Sequence, residues 1–245
     1  MARAAEAVGR HRPAAAPAPA PARTVAGEEQ IRHALLDAAI ASILERGFYR
    51  ASSNEIARRA DVTWGAIQYH FGTREELLLA VLERSFDRFV LSLATTELTG
   101  ATVRDRLAAL ARVIWAHYGT PEYVAVMQIH LNLSRDPKRA QATENAMLHL
   151  TDGIISGWRA LVERGFGPEL GRLGLDVFIF ETLRGHALGD AIAREGPERV
   201  ASRLSDQVVR ANQSRLIDAL SEHIERALAT NRANGRIRAG AATET

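Results

Sequence analysis

Apolar residues recur at intervals of three and four along most of the chain, the spacing that places them on one face of an α-helix. The first such stretch predicts a helix from Glu28 to Arg46, with acidic residues at its positive end. Gly47 ends this helix, and we expect Phe48 to fill the core beneath it. The apolar positions of the stretch are Ile31, Leu35, Ala38, Ala39 and Ile43.

Two short helices joined by a turn follow, and a third helix starts directly after them. Ser52 and Glu55 have the spacing of a capping box, which predicts the start of the first short helix. Residues 61–63 are too few for anything except a turn, and the last of them is the expected N-cap of a helix over residues 64–70. Residues 73–76 repeat the capping-box pattern. This succession is typical of the helix-turn-helix arrangement, which lays its second helix in the major groove of DNA.

Longer helices with broader apolar faces are predicted from residue 101 onward. Pairs such as Gly-Pro and Asp-Pro lie between them and mark their ends. No run of alternating apolar and polar residues predicts a strand, so the expected fold class is all-α. The predicted helices cover residues 103–118, 121–134, 138–164, 169–195 and 198–231.

The pattern divides the chain into four parts. Residues 1–27 are rich in Ala and Pro with scattered Arg, and they offer so little to bury that we predict disorder. This arm has two interpretations, an inert tail or a basic arm that adds contacts to phosphates or the minor groove. Residues 28–82 form a head of three helices with a fourth as connector. Residues 83–231 form a larger helical domain, and residues 232–245 a flexible polar tail.

Composition excludes several classes of protein. There is no Cys among the 245 residues, so disulfides, thiolate metal sites and a Cys nucleophile are excluded. The formal charge of +2 is too small to indicate a nucleic-acid partner by itself. No apolar run is long enough to span a membrane and no secretory signal is present, so we expect a cytoplasmic protein. Because no Gly-rich phosphate loop, His-Glu-x-x-His or Gly-x-Ser-x-Gly pattern occurs, we do not expect an enzyme.

Several short motifs occur in a fixed order around the two short helices: Gly47-Phe48, Ile56-Ala57, Val62-Thr63, Gly65 and His70-Phe71-Gly72-Thr73-Arg74-Glu75. In this order and spacing they resemble the N-terminal domain of the TetR family of transcriptional regulators. The resemblance covers residues 28–82, and beyond them only the helical architecture is similar. It implies double-stranded DNA, a second copy of the chain and a small-molecule effector as partners. It implies no cofactor, and it makes residues 83–231 a regulatory and dimerisation domain.

The resemblance implies that the start of the second short helix touches base edges and that flanking residues hold phosphates. The family often has a polar or basic residue at position 64 and Tyr at position 68, whereas this chain has Trp64 and Gln68. Gln68 can pair with adenine and Trp64 can pack on thymine methyl groups, so we predict that these two specify sequence while Tyr69 and Arg74 position the protein. The alternatives are a core role for Trp64 and a half-buried His70. The predicted DNA contacts are Ser52, Ser53, Thr63, Trp64, Gly65, Ala66, Gln68, Tyr69, His70, Thr73 and Arg74.

Operator binding by one small head is weak, so two copies are expected about one turn of DNA, or a multiple, apart. A stripe of small residues on the penultimate long helix and an apolar stripe on the last one predict the dimer interface. Two Gly inside a helix cost up to about 1 kcal/mol each, which indicates a packing reason for them. The alternative is that both faces pack within one subunit. The predicted interface residues are Gly185, Gly189, Ala193, Val209, Leu216, Leu220 and Ile224.

The resemblance also implies a ligand cavity among the middle helices, whose filling changes the spacing of the two heads. Few charges lie on these faces, which favours a small apolar or aromatic ligand, and Gly153 and Gly157 would leave room for it. The alternative for each residue is an ordinary core position, with a metal site on three scattered His a minor alternative. The predicted ligand residues are Trp115, His117, Tyr118, Met127, His130, Asn145, His149, Trp158 and Phe178.

The sequence therefore predicts a homodimeric DNA-binding regulator, expected to be a repressor that a ligand releases from a palindromic operator. One alternative is an activator or a ligand-independent regulator. Another is a helical ligand-binding or interaction protein whose head no longer binds DNA, because acidic and basic residues are balanced in the head. No pattern identifies the ligand, the operator sequence or the regulated genes.

Overall fold

The computed structural model describes residues 25–135, 141–196 and 205–243. These residues form helices joined by turns and loops, with no strand among them, so the predicted all-α fold is confirmed. The helices are α1 (Val25–Arg46), α2 (Ser53–Arg59), α3 (Trp64–Phe71), α4 (Arg74–Thr95), α5 (Val103–Tyr118), α6 (Pro121–Arg135), α7 (Gln141–Phe166), α8 (Glu169–Arg172), α9 (Leu175–Glu195) and α10 (Asp206–Thr243).

Helices α1, α2 and α3 and the first turns of α4 enclose one apolar centre. Gly47 ends α1 with a φ of 78°, a left-handed conformation that costs Gly little. Phe48 is half-buried against the core, as predicted. Each fully buried Leu or Ile contributes about 1.5–3 kcal/mol, so these side chains fix how the helices cross. The buried apolar residues include Leu35, Ala39, Ile43, Ile56, Ile67, Phe71 and Leu77.

The two predicted capping boxes differ. At the start of α4, Thr73 and Glu76 cap each other reciprocally, as predicted. At the start of α2, the Ser52 hydroxyl accepts the Glu55 N–H at 3.3 Å, but the return bond is missing. The Glu55 carboxylate instead accepts two hydrogen bonds from Arg58, at 2.8 and 3.0 Å. That prediction is therefore half right, because the carboxylate bonds a charged guanidinium, and charge-assisted hydrogen bonds are stronger than a bond to a neutral backbone amide.

The turn between α2 and α3 depends on Asp61, a non-glycine residue whose φ is +55°. Asp tolerates this left-handed region better than most residues because its short side chain can bond locally. Thr63 occupies the N-cap position of α3, as predicted, but its side chain makes no capping hydrogen bond. The turn therefore leaves the first amides of α3 without a side-chain cap.

Helix α7 packs along α4, which continues from the head into the larger domain. Two glycines of α7 face α4: a Cβ at Gly153 would lie 3.8 Å from Val90 Cγ2, and one at Gly157 would lie 3.4 Å from Leu93 Cδ1. These glycines make room for a neighbouring helix, so the prediction that they make room for a ligand is not supported. Nearer the head, the buried Thr143 donates a hydrogen bond to Glu75 Oε1 at 2.7 Å, which ties α7 to the start of α4.

Three predicted helix boundaries need correction. The single helix expected over 169–195 is broken, because Gly174 adopts a φ of 68° between α8 and α9. The polar tail expected from residue 232 is instead helical, since α10 continues to Thr243 in a Pro-free sequence. Helix α1 starts at Val25, inside the predicted arm. The rest of that arm and the predicted starts of two helices, at 138 and 198, lie outside the described residues.

Candidate nucleic-acid interface

Helix α3 presents one face to solvent and buries the other. Ile67 and Phe71 are buried in the head, whereas Trp64 is 49% exposed and Tyr69 is 64% exposed, with Gln68 also exposed between them. The alternative that Trp64 is a core residue is therefore wrong. The helix has eight residues, which gives a length of about 12 Å at 1.5 Å per residue. An α-helix is about 10–12 Å across with its side chains, so a helix exposed along one side fits the DNA major groove, which is about 12 Å wide.

Ala66 and Ser53 are less exposed than most members of the predicted contact set. Ala66 is only 5% exposed and faces the core, so it belongs with Ile67 and not with Trp64. Ser53 is half-buried at the start of α2. Gly65 is exposed, and a Cβ there would meet only the Thr63 hydroxyl, at 3.6 Å. The exposed surface at the start of α3 is therefore formed by Thr63, Trp64 and Gly65.

The N-terminal half of α1 contacts the second half of α3 through two side-chain hydrogen bonds and a cation–π contact. Arg32 Nη1 donates a hydrogen bond to the His70 carbonyl at 3.3 Å, and its guanidinium lies 4.6 Å from the centre of the Phe71 ring. The Tyr69 hydroxyl donates to Glu28 Oε1 at 3.1 Å. His70 is half-buried, which agrees with the alternative set out for it. These contacts join the N-terminal half of α1 to the second half of α3.

Arg74 has a different position from the one predicted. Its side chain turns back to the loop between α1 and α2, where it donates hydrogen bonds to the Phe48 carbonyl at 2.9 Å and the Ala51 carbonyl at 3.1 Å. The guanidinium also lies 4.8 Å from the centre of the Phe48 ring, and burial lowers its pKa. Arg74 thus fastens a loop of the head, and this geometry is at odds with its predicted contact to phosphate.

Three more arginines of the head, Arg46, Arg58 and Arg59, are paired with carboxylates. Arg46 Nε lies 3.2 Å from Glu55 Oε1, and the hydrogen bonds from Arg58 lower the pKa of the same carboxyl group. Arg59 forms a two-pronged contact with Glu45, whose pKa is lowered mainly by that hydrogen bond. The balance of charges noted in the sequence is therefore a set of real ion pairs on α1 and α2. These pairs leave little free positive charge on the parts of α1 and α2 that carry them.

Two exposed residues before α2 were missed in the sequence analysis. Tyr49 is 87% exposed, with its ring edge-on to Phe48 at a centroid distance of 5.4 Å. Arg50 is exposed and makes no ion pair with a described residue. An aromatic residue and an arginine in the short loop before the N-cap of α2 were the available signal. Among the predicted hydroxyl contacts, Ser52 and Thr73 are exposed but already serve as helix caps.

A cavity of about 450 Å³ lies between α1, α4, α5 and α6. Of the predicted ligand residues, His117 lines it. Its ring stacks on Phe89 with centroids 4.4 Å apart, and burial lowers its pKa to about 4. The cavity is also lined by three arginines that were not predicted: Arg84, Arg88 and Arg112.

The structure does not bring the predicted ligand residues together. Tyr118 and Trp158 are buried in the helical core, where the indole nitrogen of Trp158 donates to the Asp176 carbonyl at 2.9 Å. Helical spacing identified these residues as inward-facing but could not tell a packed core from a cavity wall. Three other predicted ligand residues are half-buried but do not line this cavity: Trp115, Met127 and His130. The remaining three predicted ligand residues are exposed on the surface: Asn145, His149 and Phe178.

The predicted dimer interface separates into two unequal parts. On α9, Gly185 and Gly189 are exposed, and a Cβ at either would meet nothing within 4 Å. On α10, the predicted stripe is turned into the chain, since Val209, Leu220 and Ile224 are buried. Leu216 and Ala193 are half-buried. The α10 part of the prediction is therefore wrong, and the stripe packs within one subunit against α5, α8 and α9.

The exposed face of α10 lies one position away from the predicted stripe. It includes the apolar Val208 and Ala219, and it reaches α9 through His223, whose ring centre is 5.5 Å from that of Phe178.

Within the described residues, no group of three His, Asp or Glu side chains could hold a metal ion. None of the described helices combines the length and apolar character needed to cross a bilayer.

Residues 35–81 match the family described as bacterial regulatory proteins, tetR family. Over 141 residues the chain is 30% identical to the HTH-type transcriptional regulator BetI of Rhizobium meliloti (strain 1021), an alignment that covers 55% of this chain and 68% of that protein. Over 128 residues it is 27% identical to the fatty acid metabolism regulator protein of Bacillus subtilis (strain 168), covering 50% of this chain and 64% of that one.

The fold is also found among solved structures. The transcriptional regulator FadR from Bacillus subtilis in complex with stearoyl-CoA superposes with a TM-score of 0.54 at 19% identity, covering 77% of this chain and 97% of that chain. At this identity the superposition shows a shared fold. The alignments cover only 64% and 68% of the two sequence relatives described above. Both sequence relatives are named as regulators.

Proposed function

Because this chain belongs to the TetR family of DNA-binding transcriptional regulators, we propose that it is a homodimeric repressor that leaves a palindromic operator when a small molecule fills its cavity. The observation that carries this proposal is the exposure of Trp64 and Gln68 on α3, a short helix held in place by the buried Ile67 and Phe71. A large aromatic side chain at 49% exposure is costly to leave in water, and a groove with thymine methyl groups gives it a partner.

In this proposal, the residues that read the base sequence differ from those that position the protein on the DNA backbone. Gln68 pairs with an adenine edge and Trp64 packs beside it, while Thr63 and the uncapped first amides of α3 approach a phosphate. Tyr49 and Arg50, on the loop before α2, add backbone contacts on the other side of the groove. Arg74 contributes indirectly, since it fixes the carbonyls of that loop.

Dimerisation through α9 and α10 would bring two heads to the same side of a duplex. The exposed Gly185 and Gly189 allow close approach of a partner helix, and the exposed face of α10 supplies apolar contact from Val208 and Ala219. Symmetric dimers bind half-sites about one helical turn apart, which is the origin of a palindromic operator. A dimer seated on a promoter occludes it, so repression is the expected outcome.

The test of DNA reading is a fluorescence anisotropy titration on the DNA upstream of the protein's own gene. We expect Gln68→Ala to lose about 1–3 kcal/mol of discrimination at one base pair per half-site. Gln141→Ala is the matched control, because Gln141 is exposed on α7, far from α3 in the sequence. Wild-type protein that binds every duplex equally would contradict the proposal.

Light scattering tests the dimer. Gly185→Glu places a charged side chain on the open face of α9 and is expected to give a monomer that binds the operator much more weakly. Gly171→Glu is the matched control, because a Cβ at Gly171 also meets nothing within 4 Å but lies on α8. A Gly185→Glu protein that remains dimeric would place the interface elsewhere.

A further inference from the structure

The cavity lies at the junction between the head and the larger domain. Ile40 of α1 forms part of its wall, together with residues of α4, α5 and α6. Its volume of about 450 Å³ is within the range of small-molecule sites, roughly 300–1,000 Å³. A ligand held there would touch the same helix, α1, that clasps α3 through Arg32 and Glu28.

One part of the wall is mainly apolar. Val81, Val113 and Val126 contribute aliphatic surface, and Phe89 carries the stacked ring of His117. Because burial holds the pKa of His117 at about 4, its ring is neutral at pH 7. Its Nε2 atom is buried and has no hydrogen-bond partner among the described residues. A buried polar atom without a partner at a cavity wall is suited to bind a polar atom of a ligand.

The other part of the wall is cationic. Arg84, Arg88 and Arg112 line the cavity, against the single carboxylate of Glu122. Arg88 and Arg112 are exposed, and neither forms an ion pair with a described residue. Guanidinium groups bind carboxylate and phosphate through two parallel hydrogen bonds, so free arginines at an apolar cavity indicate an anionic group attached to an apolar one.

Arg84 differs from the other two because it is already paired. Its Nη2 lies 2.7 Å from Asp37 Oδ1, with the Arg84 side chain 12% exposed and the Asp37 side chain 71% exposed. This ion pair joins α4 to α1 at the edge of the cavity. An anion that enters the cavity is therefore a competitor of Asp37 for Arg84.

We propose that the cavity binds an amphiphilic anion, with its apolar chain among the valines and its anionic group on Arg88 and Arg112, and that this group also displaces Asp37 from Arg84. Loss of the ion pair separates α1 from α4 at one point, and α1 carries that change to the exposed face of α3. A free long-chain carboxylate and an acyl thioester of a phosphate-bearing carrier share this chemistry. The regulatory half of the inference rests on the proposed function, whereas the binding half does not.

Isothermal titration of the full chain tests the binding half without DNA. The probes are palmitate, palmitoyl-CoA and hexadecanol, which has the same chain length without a charge. We expect at least one anion to bind, and hexadecanol to bind about tenfold or more weakly, since charge-assisted hydrogen bonds are lost. Tight binding of palmitate alone identifies a free carboxylate, and tight binding of palmitoyl-CoA alone identifies the thioester. Failure of both anions, or equal binding of hexadecanol, would overturn the inference.

Variants locate the site. Arg88→Gln and Arg112→Gln are each expected to weaken anion binding about tenfold. Arg210→Gln is the matched control, because Arg210 is an exposed arginine on α10. Both tested side chains are exposed, so the variants should fold, and circular dichroism verifies this. Equal affinity of all four proteins would remove the cavity as the binding site.

Asp37→Asn tests the displacement. It leaves Arg84 free, so anion affinity is expected to rise about threefold to tenfold, and unchanged or lower affinity would contradict competition. Operator binding is then measured with and without the anion. If the anion binds in the cavity but wild-type operator affinity does not change, the ligand class stands and the proposed release mechanism fails. If another metabolite releases the protein and the anions do not bind, the inference fails while the regulator proposal stands.

Discussion

The arginines of the head and those of the cavity differ in whether their side chains have partners within the protein. In the head, Arg58 and Arg59 are paired with carboxylates, and Arg74 is bonded to two backbone carbonyls. At the cavity, Arg88 and Arg112 form no ion pair with any described residue. Apart from the exposed Arg50, the arginines described in the head are therefore bonded within the protein, whereas Arg88 and Arg112 leave unpaired positive charge at the cavity.

This difference separates structural arginines from recognition arginines. An arginine whose donors are satisfied inside the protein stabilises the fold and adds little to the binding of an anion. An arginine without an internal partner adds little to stability but attracts anions from solution. Sign and number of charges alone do not distinguish the two roles, whereas their hydrogen-bond partners do.

Arg74→Ala gives the largest expected loss of stability. It removes two hydrogen bonds from a cation to the Phe48 and Ala51 carbonyls, and we expect unfolding free energy to fall by about 1.5–3 kcal/mol. Urea denaturation measures this fall. The salt dependence of operator binding should not change, because the guanidinium is not available to a phosphate.

Arg50→Gln is the comparison for this variant. Arg50 is exposed and has no ion pair with a described residue, so its loss should leave stability within about 0.5 kcal/mol. The salt slope of operator binding should instead fall by about one for each subunit. If Arg74→Ala lowers the slope and Arg50→Gln does not, the assignment of the two arginines is reversed.

His117→Phe tests whether the cavity owes its charge to arginines alone. Burial lowers the pKa of His117 from its ordinary value of 6.5 to about 4 in the folded protein. Above pH 6.5 the ring is neutral in both states, so stability does not depend on it. Between pH 6.5 and about 4, His117 is protonated in the unfolded chain but stays neutral in the folded one. The free energy of unfolding therefore falls as the pH falls.

At pH 5 this loss amounts to about 2 kcal/mol, from 1.36 kcal/mol for each pKa unit. Phe can keep the stacking on Phe89 but cannot titrate. We therefore expect the stability difference between pH 7 and pH 5, from urea denaturation, to be about 2 kcal/mol smaller in His117→Phe than in the wild type. Equal pH dependence in the two proteins would show that His117 is accessible to protons in the folded state.

The head could be predicted from sequence because its signals are local. Gly47 as a helix end and Thr73 with Glu76 as a capping box are each contained within four residues, and the structure confirms both. The direction of the Arg74 side chain was missed, because its partners lie 23 and 26 residues earlier in the chain. A motif fixes the position of a residue on its helix, but it does not fix what a long side chain bonds.

The larger domain shows the limit of helical periodicity. The apolar stripe of α10 was correctly recognised as a packing surface, but Leu220 and Ile224 pack against the same chain. A stripe has the same spacing whether its partner belongs to the same subunit or to another. The cavity arginines gave no signal at all, since a cavity is created by several helices that are distant in sequence. What identifies Arg88 and Arg112 is that neither forms an ion pair with a described residue, and only a structure shows this.

Arg88→Gln has the smallest expected effect on stability and completes the comparison. Because Arg88 is exposed and forms no ion pair with a described residue, its loss should change the unfolding free energy by less than about 0.5 kcal/mol. Arg84→Gln is the matched variant on the same helix and the same cavity. It breaks the ion pair with Asp37, so we expect a larger loss of up to about 1 kcal/mol, since one partner is mostly exposed.

Urea denaturation of the two variants without ligand measures both changes. A loss for Arg88→Gln as large as that for Arg84→Gln would mean that Arg88 is a structural arginine like those of the head. The free positive charge at the cavity would then rest on Arg112 alone. A stability gain for Arg88→Gln is compatible with the comparison, because neighbouring cations on α4 repel one another until an anion binds.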